Sequence, residues 1–236
     1  MLDKERFMEM FAKAGIAISD EQFCSFDRYG ELLVQWNEKI NLTAITDPEG
    51  IAVKHFFDSI YPFFLVGIPR DSTLIDIGAG AGFPSCPVKI WRDDIQITLL
   101  DSLQKRITFL AQLSDQLSLG ATCLHARAEE LGRNGKFREQ FDFATARAVA
   151  NLTDLCEYCL PFVKVGGSFI ALKGPDAGGE LEDARGAIKL LGGEVSSLQE
   201  YTLPSGDGRT VIVIEKAAQT PERFPRSSAQ IKKKRL

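Results

Sequence analysis

The chain has 236 residues, of which 44% are hydrophobic and 25% charged, and its formal net charge is −4. A chain of this size and composition can bury a core of its own, which excludes wholesale disorder and any need for disulfide or metal support. No apolar run reaches about 18 residues and the start lacks a signal-peptide core, so we expect neither a transmembrane helix nor secretion. Five cysteines in such a chain indicate reduced thiols and a cytoplasmic protein.

The N-terminal part, residues 1–66, is predicted to be helical. Apolar residues recur at spacings of three and four from Phe7 onward, as an amphipathic helix requires. Ser19 and Asp47 are typical helix starts, and the helix that begins at Asp47 is expected to run to about Phe64.

A cluster of turn residues at positions 66–71 marks the main boundary of the chain. Beyond it, short apolar runs alternate with helical stretches, which indicates an α/β protein with a mostly parallel sheet covered on both faces. The last run lies near the C-terminus, so an antiparallel final hairpin is expected. The predicted strands are residues 73–77, 95–100, 121–125, 141–146, 168–172 and 210–215.

Charge is unevenly distributed along the chain. Residues 216–236 hold seven basic residues and one acid, which is +6, whereas the rest holds 21 basic and 31 acidic residues, which is −10. This asymmetry indicates a local contact with a polyanion, and a solvated, disordered end explains it equally well. We divide the chain into an N-terminal helical segment packed on the core (1–66), an α/β domain (67–218) and a basic C-terminal tail (219–236).

The most informative segment is a glycine loop after the first predicted strand. Gly78, Gly80 and Gly82 follow Asp76 with the spacing G-x-G-x-G, and Phe83 comes next. Glycines allow the backbone to turn sharply and to approach a ligand at the carboxyl end of a strand. A tight turn without a ligand would use the same residues.

A carboxylate after the second strand supports a ligand. Asp101 lies 23 residues beyond Gly78 and can accept the ribose hydroxyls of a nicotinamide cofactor or of S-adenosylmethionine. Phe83 stands where a nicotinamide loop would have its third glycine, and Asp76 suits the cationic groups of S-adenosylmethionine. Residues 127–130 follow the third strand, where a backbone amide can bind the adenine edge; the acids there are equally typical of a helix's first turn.

Several motifs together resemble those of one family. The chain is similar, over nearly its whole length, to the bacterial 16S ribosomal RNA guanine-N7 methyltransferases of the glucose-inhibited division protein B family. The resemblance rests on residues 36–37, 41–45, 54–59, 76–84, 99–103, 105–106, 127–129, 145–150, 171–174 and 209–210. Ser85-Cys86 departs from the family's Gly-Ile, which alters the stiffness of the cofactor loop and adds a thiol beside the pocket.

The resemblance implies a Rossmann-like, seven-stranded methyltransferase sheet that binds S-adenosylmethionine and releases S-adenosylhomocysteine. It implies methyl transfer to N7 of one guanine, position 527 of 16S ribosomal RNA, in the small ribosomal subunit or its assembly intermediate. Arg147, which could otherwise be a surface arginine, joins the implied pocket. With Gly80 from the loop, the candidate cofactor-binding residues are Gly78, Gly80, Phe83, Asp101, Ala128, Glu129 and Arg147.

No general base is expected, because guanine N7 already carries a lone pair and loses no proton before transfer. No residue is therefore assigned a catalytic role, and a monomer is expected. Candidate contacts to RNA phosphates or bases are Lys173, Arg209, Arg223 and Arg226.

Two alternatives are weighed against this reading. Cys156 and Cys159 form a C-x-x-C, but no second pair accompanies them, so a buried helical stretch is preferred to a zinc site. A non-catalytic RNA- or ribosome-binding module on the same fold is the rival function, and the intact segment from Asp76 to Phe83 argues against it.

Overall fold

The computed structural model describes residues 1–147 and 150–236. Ala148 and Val149, part of the motif at 145–150, lie outside the described residues. None of the described helices is long and apolar enough to cross a membrane.

The N-terminal part is helical, as the periodicity predicts. Ser19 begins the second helix with a capping box, in which its Oγ accepts from the Gln22 N–H and the Gln22 side chain accepts from the Ser19 N–H. Asn41 ends that helix in a left-handed conformation with φ of 48°. The third predicted helix forms as three consecutive pieces, the middle one a π-helix. The bounds are α1 (Lys4–Lys13), α2 (Asp20–Ile40), α3 (Pro48–Gly50), the π-helix (Ile51–Phe57) and α4 (Asp58–Val66).

Seven strands form one sheet in the order β3-β2-β1-β4-β5-β7-β6. β1 to β5 pair with one another in parallel, and β7 is antiparallel to both β5 and β6, which confirms the final hairpin. The strands are β1 (Thr73–Ile77), β2 (Gln96–Asp101), β3 (Thr122–His125), β4 (Phe141–Arg147), β5 (Val163–Lys173), β6 (Gly193–Thr202) and β7 (Gly208–Lys216).

The apolar pattern predicts six strands and misses β6. This strand lies at the edge of the sheet, and buried or half-buried residues alternate with exposed polar ones along most of it. It therefore lacks the continuous apolar run that marks the central strands.

Helices cover both faces of the sheet, and the core has two parts. The N-terminal helices, α5 and α6 pack on one face, and their core includes Phe11, Phe56 and Leu110. The α8 and α9 helices pack on the other face, with Leu155 and Leu181 in its core. The remaining α-helices are α5 (Ser85–Trp91), α6 (Gln104–Gln116), α7 (Ala128–Leu131), α8 (Leu152–Cys159), α9 (Gly178–Leu190) and α10 (Ser228–Lys233), and a 3-10 helix (Leu160–Phe162) follows α8.

The basic C-terminal tail is folded, which disagrees with one of the two explanations of its charge, the solvated, disordered end. Phe224 and Ile231 are 3% and 1% exposed, and α10 forms between Ser228 and Lys233. Arg138 donates to the carbonyl oxygens of Thr220 and Phe224 at 2.6 and 2.8 Å. Charge counting overlooks these two apolar anchors, which hold the segment on the core.

Candidate functional site

The glycine loop follows β1 at the edge of the sheet where the parallel strands have their carboxyl ends. The N–H groups of Gly78 and Ala79 donate to the Leu100 carbonyl oxygen at 2.8 and 3.0 Å, which ties the loop to the end of β2. Gly78, Gly80 and Gly82 have φ angles of 75°, 59° and 92°, in the region that favours glycine. The path of the backbone therefore requires all three glycines.

The space around Gly82 differs from the space around Gly80. A Cβ on Gly82 would lie 2.6 Å from Tyr29 Oη and 2.8 Å from Cys86 Sγ, so packing leaves no room for a side chain there. A Cβ on Gly80 would meet no described atom closer than the Gly78 carbonyl oxygen, 3.8 Å away. The loop is thus packed against the protein at Gly82 and open to a ligand at Gly80.

Asp76 lies at the end of β1, immediately before the loop, and is fully buried. Its Oδ2 accepts from the Ser85 N–H at 3.3 Å, whereas its Oδ1 has no hydrogen-bond partner among the described residues. Burial raises the pKa of this carboxyl to about 7. An unpartnered carboxylate oxygen beside a glycine loop fits the cationic end of S-adenosylmethionine.

Asp101 ends β2 and is 3% exposed. Its Oδ2 accepts from the Gly80 N–H at 3.0 Å and from the Arg106 guanidinium at 3.3 Å, and its Oδ1 accepts from the Leu103 N–H at 2.8 Å. A carboxylate can accept about four hydrogen bonds, so three of them are already made. Asp101 holds the glycine loop in place, and its contact with a ribose stays a prediction.

Ala128 and Glu129 open α7 directly after β3. The N–H of Ala126 donates to the Asp101 carbonyl oxygen at 3.3 Å, which joins this turn to the end of β2. Glu129 is buried, and its carboxylate lies 4.0 Å from the Arg127 guanidinium. The structure therefore brings Ala128 and Glu129 to the same edge as the glycine loop and Asp101.

Phe83 lies at the centre of a stack that sequence reasoning does not predict. The ring of His55, from the π-helix, stacks on it with centroids 4.4 Å apart, and that of Tyr29, from α2, with centroids 5.3 Å apart. The Arg147 guanidinium lies 4.9 Å from the Phe83 centroid. Tyr29 Oη also donates to the Ala81 carbonyl oxygen at 2.5 Å. The N-terminal helices thus shape the loop.

His55 is held as a neutral side chain. Burial and the nearby Arg147 cation lower its pKa to about 4. Its Nε2 lies 2.8 Å from Thr43 Oγ1. At neutral pH the ring is therefore uncharged, and it packs against Phe83 in the site.

One buried carboxylate joins two arginines. Asp58 Oδ2 lies 3.7 Å from the Arg147 guanidinium and accepts from Arg209 Nε at 3.2 Å. Tyr201 Oη donates to the other oxygen at 3.2 Å, and burial together with the Asp58 charge raises the pKa of this phenol. Arg147, beside the loop, and Arg209, on β7, are therefore fixed relative to one another.

A cavity of about 320 Å³ opens beside this pair. Four cations line it, and Lys173 is held there by the Ala150 carbonyl oxygen at 3.0 Å and by Glu180 at 2.8 Å. Three carboxylates pair with these cations, namely Asp58, Glu180 and Asp207, so one positive charge is in excess. This excess fits an anionic or electron-rich ligand. The cationic lining residues are Lys54, Arg147, Lys173 and Arg209.

The other two candidate RNA contacts lie outside this cavity. Arg226 makes a close ion pair with the buried Glu157 of α8, with Nη2 2.6 Å from Oε2. The Arg223 guanidinium lies 5.1 Å from the centroid of the Phe224 ring. The structure brings together Lys173 and Arg209, and places Arg223 and Arg226 on the C-terminal segment.

All five cysteines are free thiols. Cys156 and Cys159 are buried in α8, as predicted, and the described residues contain no group of three or more potential metal ligands. Cys86 is also buried, and its surroundings raise the pKa of its thiol well above the usual value. A thiol in this state is a poor nucleophile.

Sequence reasoning misses Tyr29, Asp58 and Tyr201 as parts of the site. Tyr29 lies on the buried face of an amphipathic helix, where an aromatic residue is typical of core. Asp58 is the exception that could have been found, because it is the single carboxylate of the otherwise largely apolar α4.

Comparisons with known proteins agree with this geometry. A family model described as rRNA small subunit methyltransferase G matches residues 22–207. The chain is 46% identical over 229 residues to a ribosomal RNA small subunit methyltransferase G of Exiguobacterium sibiricum, covering 96% of each chain. It is similar to the structure of M. jannaschii TYW2 in complex with AdoMet, with a TM-score of 0.52, 13% identity and coverage of 67% of this chain and 76% of that one. A SAM-dependent methyltransferase from Aquifex aeolicus gives a TM-score of 0.50 at 16% identity, covering 71% and 93%. The structural likenesses confirm the Rossmann-like methyltransferase fold.

Proposed function

The chain belongs to the family of rRNA small subunit methyltransferase G, and from this membership we propose that it methylates N7 of guanine 527 in 16S ribosomal RNA with S-adenosylmethionine. One observation carries the proposal. The glycine loop, with the unpartnered Oδ1 of Asp76 beside it, and the cavity lined by four cations share Arg147. A cofactor site and a site for an electron-rich substrate thus meet at one side chain.

We assign the cofactor to the carboxyl-terminal edge of β1, β2 and β3. Gly78 and Gly80 let the backbone approach it, and the ring of Phe83 with Arg147 closes one side. The start of α7, at Ala128 and Glu129, takes the adenine, and Asp101 takes the ribose while holding Gly80. The amino group of the cofactor pairs with Asp76.

The substrate side uses Lys173, Arg209 and Lys54, whose positive charges attract phosphate oxygens and the guanine edge. The target base must be unstacked to reach this cavity, which restricts the enzyme to exposed guanines. Arg226 is left out of these contacts because it lies outside the cavity, where its guanidinium is paired with the buried Glu157.

When bound, S-adenosylmethionine supplies an electrophilic methyl group on a sulfonium. Guanine N7 presents a lone pair and no proton, so this chain's residues need only bind, orient and exclude water. Well-oriented reacting groups reach effective molarities of about 10⁵–10⁸ M, which makes positioning the main contribution. Because its pKa is lowered to about 4, the stacked His55 is a weak base, which agrees with a site that has no general base.

The proposal includes S-adenosylhomocysteine as the released product, a monomeric enzyme and a cytoplasmic location, where ribosomal subunits are. Sedimentation of the purified protein with and without cofactor tests the monomer.

The decisive experiment is transfer of a labelled methyl group onto small subunits from a strain that lacks this enzyme. We expect about one methyl per subunit, recovered as 7-methylguanosine by mass spectrometry of the nucleosides. Subunits from a wild-type strain are the matched control and should accept no label. A non-catalytic RNA-binding module would bind subunits and leave them unlabelled, and label on another nucleoside would refute the assigned acceptor.

A further inference from the structure

The C-terminal segment, residues 217–236, starts at the amino-terminal edge of the sheet. The N–H groups of Ala217 and Ala218 both donate to the Gly192 carbonyl oxygen at 2.9 Å, just before β6 begins. Lys216 Nζ donates to the Leu160 carbonyl oxygen at 2.6 Å, just before β5 begins. The segment therefore leaves β7 on the side of the sheet opposite the glycine loop.

The middle of the segment is fastened to α7 and α8. The Arg226 guanidinium contacts both carboxylate oxygens of Glu157 at 2.6 to 3.2 Å, and Glu157 is 1% exposed. Arg133, just beyond α7, donates to the Pro225 carbonyl oxygen at 2.7 Å. A bidentate pair with a buried carboxylate is a strong and directional contact, so the course of the chain is fixed here.

The end of the segment lies at the opposite, carboxyl-terminal edge. Arg235 Nε pairs with Asp154 at 3.3 Å, and Asp154 is in the first turn of α8. That helix begins just after the carboxyl end of β4, where Arg147 lies. Lys173, from the cation-lined cavity, donates to the Ala150 carbonyl oxygen in the same connection. The segment thus crosses the molecule, and its last residues lie at the carboxyl-terminal edge of the sheet, where the candidate site is.

The last residues of the segment place at this edge three lysines without ion-pair partners among the described residues. Lys232, Lys233 and Lys234 are exposed, and none makes an ion pair with another residue of the described part of the chain. The capping box at Ser227 and the burial of Ile231 hold Lys232 and Lys233 on the short helix α10, and Lys234 follows directly after it. Since the chain up to residue 215 carries −10, this cluster is a local feature and not part of a generally basic protein.

We propose that Lys232, Lys233 and Lys234, here called the terminal basic surface, bind backbone phosphates of the ribosomal RNA next to the target guanine. The inference rests on the proposed function, because it concerns the same RNA. Three ammonium groups at the edge of a site for RNA match the charge of a phosphate backbone, and point charges of this kind position a nucleic acid without reading its sequence. The terminal basic surface therefore positions the RNA backbone, while the cavity binds the target base.

The test compares three variants in binding to small subunits across a series of salt concentrations. The first changes all three lysines to glutamine, K232Q/K233Q/K234Q. The second keeps their charge, K232R/K233R/K234R. The third is the matched control, R70Q/K136Q/K189Q, which removes three exposed cations that precede β1, β4 and β6 at the opposite edge.

In the glutamine variant we expect weaker subunit binding, by about fivefold or more near 0.1 M salt, and a salt slope shallower by about one to two units. The KM for subunits should rise, while kcat and the affinity for S-adenosylmethionine stay unchanged. The arginine variant should match the wild type, and the control should keep the wild-type slope. Thermal unfolding verifies that each variant folds, and the double variant K232Q/K233Q serves if the triple one does not.

An unchanged salt slope in the glutamine variant overturns the inference, as does an equal loss in the control. Weaker binding with an unchanged slope also overturns it, since a protein partner and not phosphate would then be in contact. These outcomes are read on subunits that the wild-type enzyme labels, so they leave the proposed function standing. Failure of the wild type to transfer methyl refutes the proposed function instead.

Discussion

Asp76 combines complete burial with a carboxylate oxygen that has no partner among the described residues. An isolated buried charge is costly, and the pKa of about 7 expresses that cost. In the unfolded chain the same carboxyl would titrate at its usual value near 4. Between these two values the folded protein binds the proton more strongly, so stability falls as the pH rises from about 4 to about 7.

We predict that Asp76→Asn removes this pH dependence. The difference in melting temperature between the variant and the wild type should grow in favour of the variant from pH 5 to pH 7 and then level off. Calorimetric melting of both proteins at four pH values measures it. Asp142→Asn is the comparison, because Asp142 is only partly buried and is paired with Lys164 and Thr73. Parallel curves for wild type and Asp76→Asn would mean that Asp76 is ionised throughout.

Single residues differ in how far the sequence reveals them. The glycines and Asp101 follow strands at a spacing that exposes them, because the loop and the strand end are local features. The contact of Tyr29 with Ala81 joins positions 52 residues apart, and no periodicity encodes such a pair. The unpaired oxygen of Asp76 is equally invisible, since hydrogen-bond partners depend on the whole packing around it.

At the level of elements, α2 acts on the glycine loop through one side chain. Tyr29 is fully buried, donates to the Ala81 carbonyl oxygen and stacks on Phe83. The helix is predicted from its apolar face, but that it touches the loop follows only from the fold. The π-helix also contacts the loop through one side chain, because the ring of His55 stacks on Phe83.

We predict that Tyr29→Phe weakens S-adenosylmethionine binding by about tenfold. The change leaves the buried Ala81 carbonyl oxygen without its donor, which costs about 1–3 kcal/mol and loosens the loop. Titration calorimetry measures the affinity. Tyr61→Phe on α4 is the matched control, because Tyr61 is half-buried and its hydroxyl makes no hydrogen bond within the described residues. A fall in melting temperature with unchanged cofactor affinity would show that Tyr29 stabilises the fold without positioning the loop.

At the scale of the whole molecule, the predicted boundary near residues 66–71 separates two kinds of structure and does not separate two cores. Phe11 and Phe56, on the N-terminal side, belong to the same buried cluster as Leu110 and Ile170 of the α/β part. The sequence predicts helices first and alternating elements afterwards, and so it suggests a division. Which apolar faces meet is decided by tertiary packing, and in this fold the apolar faces of the N-terminal helices pack against those of the α/β part.

We therefore predict that the protein unfolds in a single cooperative transition. A fragment that starts at residue 67 would expose the apolar face of α5 and α6, which α2 now contacts, and it should show no cooperative melting. Differential scanning calorimetry of the full chain should give a ratio of calorimetric to van't Hoff enthalpy of about one. The same ratio with S-adenosylmethionine present should hold at a higher melting temperature, because the ligand binds only the folded state. Two resolved transitions, or a 67–236 fragment that melts cooperatively and binds the cofactor, would establish the N-terminal helices as a separate domain. A single transition would instead place Tyr29, the glycine loop and the cofactor site in one folding unit. A destabilising mutation in α1 or α2 should then lower both the melting temperature and the affinity for S-adenosylmethionine.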